Sequence, residues 1–368
     1  MTRLHEGHLA SVLGEDTLRG LYETSLGLTI PVPIAGTPFY AVNGDIIAEP
    51  PRMQDVRGRR LYEFPNAREA ARPVGWGKGS RAIMPIAGGG FASIADLVAE
   101  RDKAQYLPFT KGASGTKVAS RGWSYWQLGT LPAAGTNGGT TGTGQVRGKS
   151  ASFNQNNAAT GESTHIADIT FNASQTNQIG LFYDRLWDMT HTMTVDPRSC
   201  DAANVPTRYQ TATTAPGSFI AGEVTTILPA ATPTVTFDYV DQDGNNVTGP
   251  ALSTIESGAA VNSIPFTAGK WAYPLDPADT GVRSLQNSAN AVNLSAAMAS
   301  GVVTWFIGHP LAVLVTTANT TLAHSIDGIN SVFNLQRVYD NACLAFLEPS
   351  SPSTSSTTWT GTIHLVSG

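Results

Sequence analysis

The stretch GLFYDRLWDMTHTMT, residues 180–194, decides how this chain folds. Leu181, Tyr183, Arg185 and Trp187 share one parity, while Phe182, Asp184, Leu186 and Asp188 share the other. That alternation predicts a long β-strand with one largely buried face. The polar, turn-forming residues 172–177 bound it on one side and Asp196-Pro197 on the other. A strand of this kind requires partners, and the sequence around it supplies them.

From about residue 164 onward the reading is nearly all β. Further strands are predicted over 165–171, 218–228, 234–240, 259–266, 281–285, 302–315, 335–347 and 357–366. The turns between them are rich in Asn, Asp, Gly and Pro. Asp241-Gln242-Asp243-Gly244-Asn245 predicts a hairpin turn, because Asp-Gly and Asn supply left-handed backbone angles. Eight or nine short strands so spaced indicate a sandwich or jelly roll, and no fixed-period repeat points to a propeller or solenoid.

Working toward the N-terminus, residues 132–161 are low-complexity, PAAGTNGGTTGTGQVRGKSASFNQNNAATG. Such composition buries too little apolar area to offset backbone ordering, so a linker or a loop ordered by its neighbours is expected. Residues 86–131 read as a small helix-plus-aromatic segment. Within them SIADLVAERDKAQ, 93–105, has a capping Ser93, an acidic Asp96 three residues on and an Ile94, Leu97, Val98 stripe, predicting a helix. The ring cluster Trp123, Tyr125 and Trp126 follows, read as a packing or subunit contact.

Residues 1–85 form the remaining segment. One helix is expected over about 6–22, from Leu9, Val12, Leu13, Leu18 and Leu21. Beyond it, over 30–85, the sequence turns proline-rich and basic: Arg52, Arg57, Arg59, Arg60, Arg68, Arg72, Lys78 and Arg81 outnumber Asp45, Glu49, Asp55, Glu63 and Glu69. This predicts an extended arm with short edge strands lying over another surface. The expected class is thus mainly β: a sandwich or jelly-roll domain over 162–368, preceded by an extended N-terminal arm with one or two short helices.

Charge is divided unevenly. Residues 1–150 carry 17 Lys+Arg against 12 Asp+Glu, or +5, whereas residues 151–368 carry 6 against 16, or −10. Opposite signs suggest that one half of a copy meets the other half of a neighbour, or that the basic half meets an acidic partner. Cys200 and Cys343 are too few for a disulfide framework and lack metal-ligand spacing. The N-terminal 20 residues have no apolar core, so no signal peptide is expected. No run of about 18 apolar residues predicts a membrane span.

Chemistry-bearing motifs are sparse. Thr143–Ser150, TGQVRGKS, ends like a phosphate-binding loop but has Thr143 where the first glycine belongs, with no apolar helix after it. His5-Glu6-Gly7-His8 lacks the spacing of a zinc-protease helix. The Asp241–Asn245 turn begins like a calcium loop, yet Leu252 stands where the closing glutamate would fall. Asp184 and Asp188 share a parity but lie about 13 Å apart in an extended strand, beyond the reach of paired carboxylates in glycoside hydrolysis. No Gly-x-Ser-x-Gly elbow is present, and His165, His191, His309, His324 and His364 read as structural. Arg185 and Arg283 read as partners in cross-strand ion pairs. No catalytic residue, metal or cofactor is expected.

Two segments nevertheless resemble a known group. LFYDRLWDMTHTMTVD at 181–196 and DPADTGVRSLQ at 276–286 are similar to segments of tailed-bacteriophage virion proteins, in which an N-terminal part and a Gly/Thr/Pro-rich stretch precede an Asp-Arg-Leu-Trp strand and a later Asp-Thr-Gly-Val-Arg-Ser segment. GGGFASIADLVAE, 88–100, resembles the small-residue lead into that group's N-terminal element. The likeness spans about 85–315 in outline, and residues 1–84 depart from it. It implies a structural component of the virion and no enzyme.

Sequence and resemblance together lead to a capsid decoration or cement protein, located in the virion after assembly in the host cytoplasm. Its expected partners are further copies of itself in a homo-oligomer such as a trimer, and the major capsid protein or other virion proteins, with no membrane and no direct nucleic-acid role. Partner-binding residues are expected at Arg52, Arg57, Arg59, Arg60, Arg68, Arg72, Trp76, Trp123, Tyr125 and Trp126. The alternatives are a receptor- or glycan-binding fibre that stacks sugars on Trp123, Tyr125 and Trp126, and a tail-tube or neck component.

Overall fold

In the computed structural model the chain divides into two compact units, Met1–Val98 and Ala99–Gly368. Before residue 97 only the backbone of five short strands is described. From there on the description omits 98, 101–103, 113–116, 139–142, 150–152, 201–206, 211–214, 216, 252, 268, 287, 317–323, 328–335 and 351–355.

In the first unit β1 (Val32–Pro33), β2 (Tyr40–Val42) and β3 (Asp45–Ile47) make one antiparallel ladder, and β4 (Met53–Gln54) pairs with β5 (Arg60–Tyr62). The arm is therefore, where described, short strands paired with one another. The helix predicted over 6–22 lies outside the described residues. Of the helix predicted over 93–105, Leu97, Ala99 and Glu100 are helical, and the chain is already in a strand at Gln105.

The second unit is mainly β with antiparallel sheets. Its strands are β6 (Gln105–Gly112), β7 (Trp123–Ser124), β8 (Gln145–Val146), β9 (Thr164–Ala173), β10 (Ile179–Thr192), β11 (Phe219–Thr226), β12 (Thr234–Asp241), β13 (Asn246–Thr248), β14 (Ser253–Thr254), β15 (Val282–Leu285) and β16 (Val292–Leu294). They continue with β17 (Val302–Val315), β18 (His324–Asp327), β19 (Arg337–Val338), β20 (Leu344–Ser350) and β21 (Thr358–Ser367). A central sheet runs β11-β17-β10-β20-β7, with β8 also on β10. A second runs β18-β9-β21-β6, with β19 on β9, and a third gathers β13, β14, β15 and β16 around β12. Among the described residues no helix is long and apolar enough to cross a membrane.

β10 and β17 organise this unit. They pair along their whole length, with register shifts between Phe182 and Tyr183 and between Arg185 and Trp187. One part of the pair packs on the second sheet: Phe182, Ala312 and Leu314, with Phe346 of β20, meet Ile169, Phe171, Trp359 and Ile363 in one buried cluster. The other part packs on the third sheet, where Met189, Trp305 and Ile307 meet Val235, Phe237 and Val292. Phe237 and Trp305 touch edge to face, with centroids 5.1 Å apart. A third cluster, including Leu181, Tyr183, Phe219 and Phe306, lies on the opposite face of the central sheet.

The expectation of a single buried face on β10 is corrected: every residue from Gly180 to Met189 is buried. The strand is interior to its sheet and covered on both faces, so polar residues at the "outer" parity are buried too. Residues 259–266, expected as a strand, form turns with isolated bridges at Ser263 and Phe266. The Asp241–Asn245 hairpin is present: Gly244 has φ +92°, and the Asp241 carboxylate accepts N–H bonds of 2.8 Å from both Asp243 and Asn245. Those inward bonds occupy the oxygens that a calcium ion would need.

The described parts of residues 132–161 are held by their neighbours within the second unit. Gly135 approaches the Trp126 ring so closely that an added Cβ would overlap it, and Gly144 does the same at Trp187. β8 pairs with Trp187 and Asp188, Phe153 is buried, and the Gln155 amide donates to Ala342 O at 2.9 Å.

Candidate functional site

Charged side chains of β10 are the first unusual feature. The shift between Arg185 and Trp187 places Asp188 on the same face as Arg185, although spacing alone groups Asp188 with Asp184. Arg185 Nε donates to Asp188 Oδ2 at 2.9 Å, and its Nη2 reaches Glu223 Oε1 of β11 at 2.9 Å. The guanidinium also lies over the Phe306 ring at 4.4 Å and the Trp126 ring at 5.0 Å. Ser124 donates to the other Glu223 oxygen at 2.6 Å, and Arg147 and the Gly138 N–H complete the shell of Asp188 at 3.2 and 3.1 Å. On the opposite face Asp184 takes a two-pronged bond from Arg208, 2.7 and 2.9 Å, and the Cys343 N–H at 2.8 Å.

A second buried group joins β20 to residues on either side of β7. Lys117 Nζ contacts both Glu348 oxygens at 2.8 Å, and Tyr125 OH donates to Glu348 Oε2 at 2.8 Å. Arg185, Asp184, Asp188, Glu223 and Glu348 have no exposed side-chain surface. Burying such charges is tolerable only when each is paired and hydrogen-bonded. Lys111 is handled differently: its ammonium donates to the carbonyls of Leu128, Pro132 and Ala133 at 2.8, 2.9 and 3.3 Å, and burial pulls its pKa down to about 8.

Four of the described histidines are also engaged internally. Trp305 Nε1 donates to His191 Nδ1 at 3.1 Å, so His191 carries its proton on Nε2, which donates to Val195 O at 2.7 Å. His309 stacks on Tyr209, centroids 4.0 Å apart, and burial lowers its pKa to about 4. His165 is likewise lowered to about 4 by burial. His364 pairs with Asp168 at 2.8 Å. Among the described residues no group of three or more His, Cys, Asp or Glu is placed to hold a metal ion.

The second unusual feature is a cleft of about 610 Å³ on the second unit. Leu181, Phe219, Pro310 and Val313 of the central sheet form its floor, and the loop from Trp271 to Thr280 forms its wall. Phe219 and Trp271 meet edge to face at 4.9 Å. The wall is pinned: Tyr273 N–H donates to Ile220 O at 2.8 Å, Asp276 N–H to Tyr239 OH at 3.0 Å, and Thr280 N–H to Gln242 Oε1 at 2.9 Å. Tyr239 OH in turn donates to the Asp279 carboxylate. Asp276 stands in the same wall, and among the described residues its carboxylate makes no hydrogen bond or ion pair. Beyond the floor, Ile179 and Val315 pair in register and are 41% and 53% exposed, so the apolar strip continues outside the cleft.

Of the expected partner-binding residues, Trp123, Tyr125 and Trp126 are corrected: they are 3%, 0% and 2% exposed and pack inside their own unit. Their rings fill the space beside Phe346 and beneath Arg185, which removes the sugar platform the fibre reading requires. Arg60 lies in β5, with its backbone alone described, and Arg52, Arg57, Arg59, Arg68, Arg72 and Trp76 lie outside the described residues. Trp271, Asp276 and Asp279 went unremarked as site residues in the sequence, although WAYPLDPAD, 271–279, places an aromatic pair and two acids within nine residues.

No protein-family model matches the chain, and no curated protein does either. Among solved structures it is similar to a chain in the structure of infectious bursal disease virus Gt strain, at 10% identity and a TM-score of 0.16, covering 72% of this chain and 80% of that one. A likeness at that TM-score carries no argument about fold or role.

Proposed function

We propose that this protein is a structural component of a tailed-bacteriophage virion: a head decoration or cement protein whose C-terminal β domain, read as a sandwich or jelly roll, self-associates while the arginine- and proline-rich N-terminal segment lies over a neighbouring surface. The observation that carries the reading is the internal use of charge. Asp184 with Arg208, Arg185 with Asp188 and Glu223, and Lys117 with Glu348 neutralise one another inside the fold. Groups so matched hold a scaffold in one arrangement. The segments that resemble phage virion proteins supply that scaffold: 181–196 contains Asp184, Arg185 and Asp188, and 276–286 contains the Asp276–Thr280 part of the cleft wall and β15.

Deleting residues 1–80 tests the proposal. The shortened chain should keep the spectroscopic signature and unfolding transition of the Ala99–Gly368 unit and disappear from purified particles. Normal incorporation of the shortened chain would overturn the assigned role of the N-terminal segment. Electron microscopy of particles labelled on this protein then separates head, neck and tail positions.

A further inference from the structure

Lysine amines and carboxyl groups meet often at protein surfaces, where water keeps both ionised. One such pair here is sealed inside the fold. Lys117 Nζ lies 2.8 Å from both oxygens of Glu348, and the two side chains are 1% and 0% exposed. Tyr125 and Thr357 enclose the pair and are themselves fully buried. Tyr125 OH donates to Glu348 Oε2 at 2.8 Å, and Lys117 Nζ donates to Thr357 Oγ1 at 2.5 Å. Thr357 Oγ1 donates in turn to Gln178 Oε1 at 3.4 Å. The other buried cations differ. Arg185 and Arg208 carry guanidinium groups, which do not give up a proton, and Lys111 faces amide carbonyls. Among the described residues, Lys117 is therefore the buried amine held against a carboxyl group.

Contact of this kind favours condensation. Burial lowers the Lys117 pKa by penalising the charged amine, so the shared proton passes more readily to Glu348 and leaves a neutral amine beside a neutral acid. Burial also holds the Tyr125 pKa well above its ordinary value, so its hydroxyl remains a donor to the oxygen on which charge develops under attack. Groups fixed in reacting geometry behave as though present at about 10⁵–10⁸ M, and joining them removes two charges whose burial is costly. We propose that Lys117 and Glu348 condense into an amide that links the segment before β7 to β20. Nζ attacks Cδ of Glu348, the Nζ–Cδ bond forms and the Cδ–Oε1 bond breaks. Oε2, held by Tyr125, remains as the amide oxygen. Lys117 enters as an ammonium and Glu348 as a carboxylate; the amide nitrogen keeps one hydrogen, and Oε1 leaves with the other two as water. The step needs no oxidant, reductant or co-reactant. Its product closes residues 117–348 into one covalent ring, which limits how far the unfolded chain can extend.

The native full-length chain supplies the test. Mass spectrometry of the intact folded protein should give a mass one water lower than its sequence requires. Trypsin does not cleave after an acylated lysine, so the digest should contain a branched peptide joining 112–121 to 338–368, with fragmentation placing the bond between Lys117 and Glu348. Lys117→Arg should keep its full sequence mass and migrate more slowly than the native chain in a denaturing gel. In chain made by cell-free synthesis and sampled over time, Tyr125→Phe should acquire the link roughly a hundredfold more slowly, the usual effect of removing one donor to a developing oxyanion; equal rates would overturn the part given to Tyr125. A native chain that keeps its full mass after prolonged incubation in the folded state would overturn the inference. So would a water loss that maps elsewhere, for instance to Asp243-Gly244. Neither of these results depends on a variant that folds. The virion role is decided separately, by the 1–80 deletion.

Discussion

Replacing Arg185 by Met tests how the interior charges are balanced. The methionine keeps most of the apolar stem over Phe306 and Trp126 and removes the guanidinium. Asp188 keeps Arg147 and the Gly138 N–H, but Glu223 keeps only Ser124. A charge pair at about 4 Å is worth ~4 kcal/mol at an effective dielectric near 20. Losing one partner of a buried pair costs about 3–5 kcal/mol in measured cases. We therefore expect Arg185→Met to lose about 4 kcal/mol in urea unfolding followed by tryptophan fluorescence, and Arg185→Met/Glu223→Gln to recover at least half of that. The pH dependence follows from the same source. In the single variant the unpaired Glu223 binds its proton at a higher pH folded than unfolded, so the deficit relative to the native chain must shrink as pH falls toward the ordinary glutamate pKa of about 4.3. A single variant that loses less than about 1 kcal/mol, or a double variant no more stable than the single, would refute this account.

Four further outcomes follow from particular residues. His165 and His309, lowered by burial to about 4 against about 6.5 unfolded, bind protons more readily in the unfolded chain between those pH values; stability should therefore fall from pH 6.5 to 4, by on the order of 1–3 kcal/mol per histidine, and be restored in that window by His309→Phe. Lys111→Met strands the carbonyls of Leu128, Pro132 and Ala133 and should cost about 1–3 kcal/mol by denaturant titration. Gly361→Ala drives a methyl group against the Thr170 carbonyl and the Phe109 ring between β9 and β6, with an expected loss of about 1–3 kcal/mol and a lower thermal midpoint. Cys343, pushed by burial to about 12, and the buried Cys200 should resist a thiol reagent at pH 8 in the native chain and both react once it is denatured.

The long strands were legible because their composition and length leave one conformation. Residues 302–315 were expected as a strand and form β17 with the same bounds, and the stretch at 180–194 forms β10 over Ile179–Thr192. Residues 259–266 misled for a physical reason: Ala259, Ile264 and Phe266 are buried, yet Asn262 takes φ +69° and the chain turns beneath the core, so apolar content marks burial there without marking a ladder. β6 was hidden by Pro108, since strands carry proline chiefly at edges, starts or bulges, and β6 is the end strand of its sheet. The glycines of 132–161 resemble those of a linker, although Gly135 and Gly144 serve close packing against Trp126 and Trp187. The faces of Asp184 and Asp188 were inverted by a register shift that leaves no mark in the spacing. The cleft draws its floor from β10, β11 and β17 and its wall from a distant loop, a juxtaposition available only once the strand order is known.

A pair of fourteen-residue strands serving as the common spine of two packed layers gives neither layer a private way to come apart. Peeling the second sheet from one end of the spine would wet Phe182 and Phe346, and peeling the third from the other end would wet Met189 and Trp305, while the same backbone ladder still tethers both ends. Partial opening thus exposes apolar surface without releasing much chain entropy in return, so the unit resists loosening up to the point where it gives way as a whole.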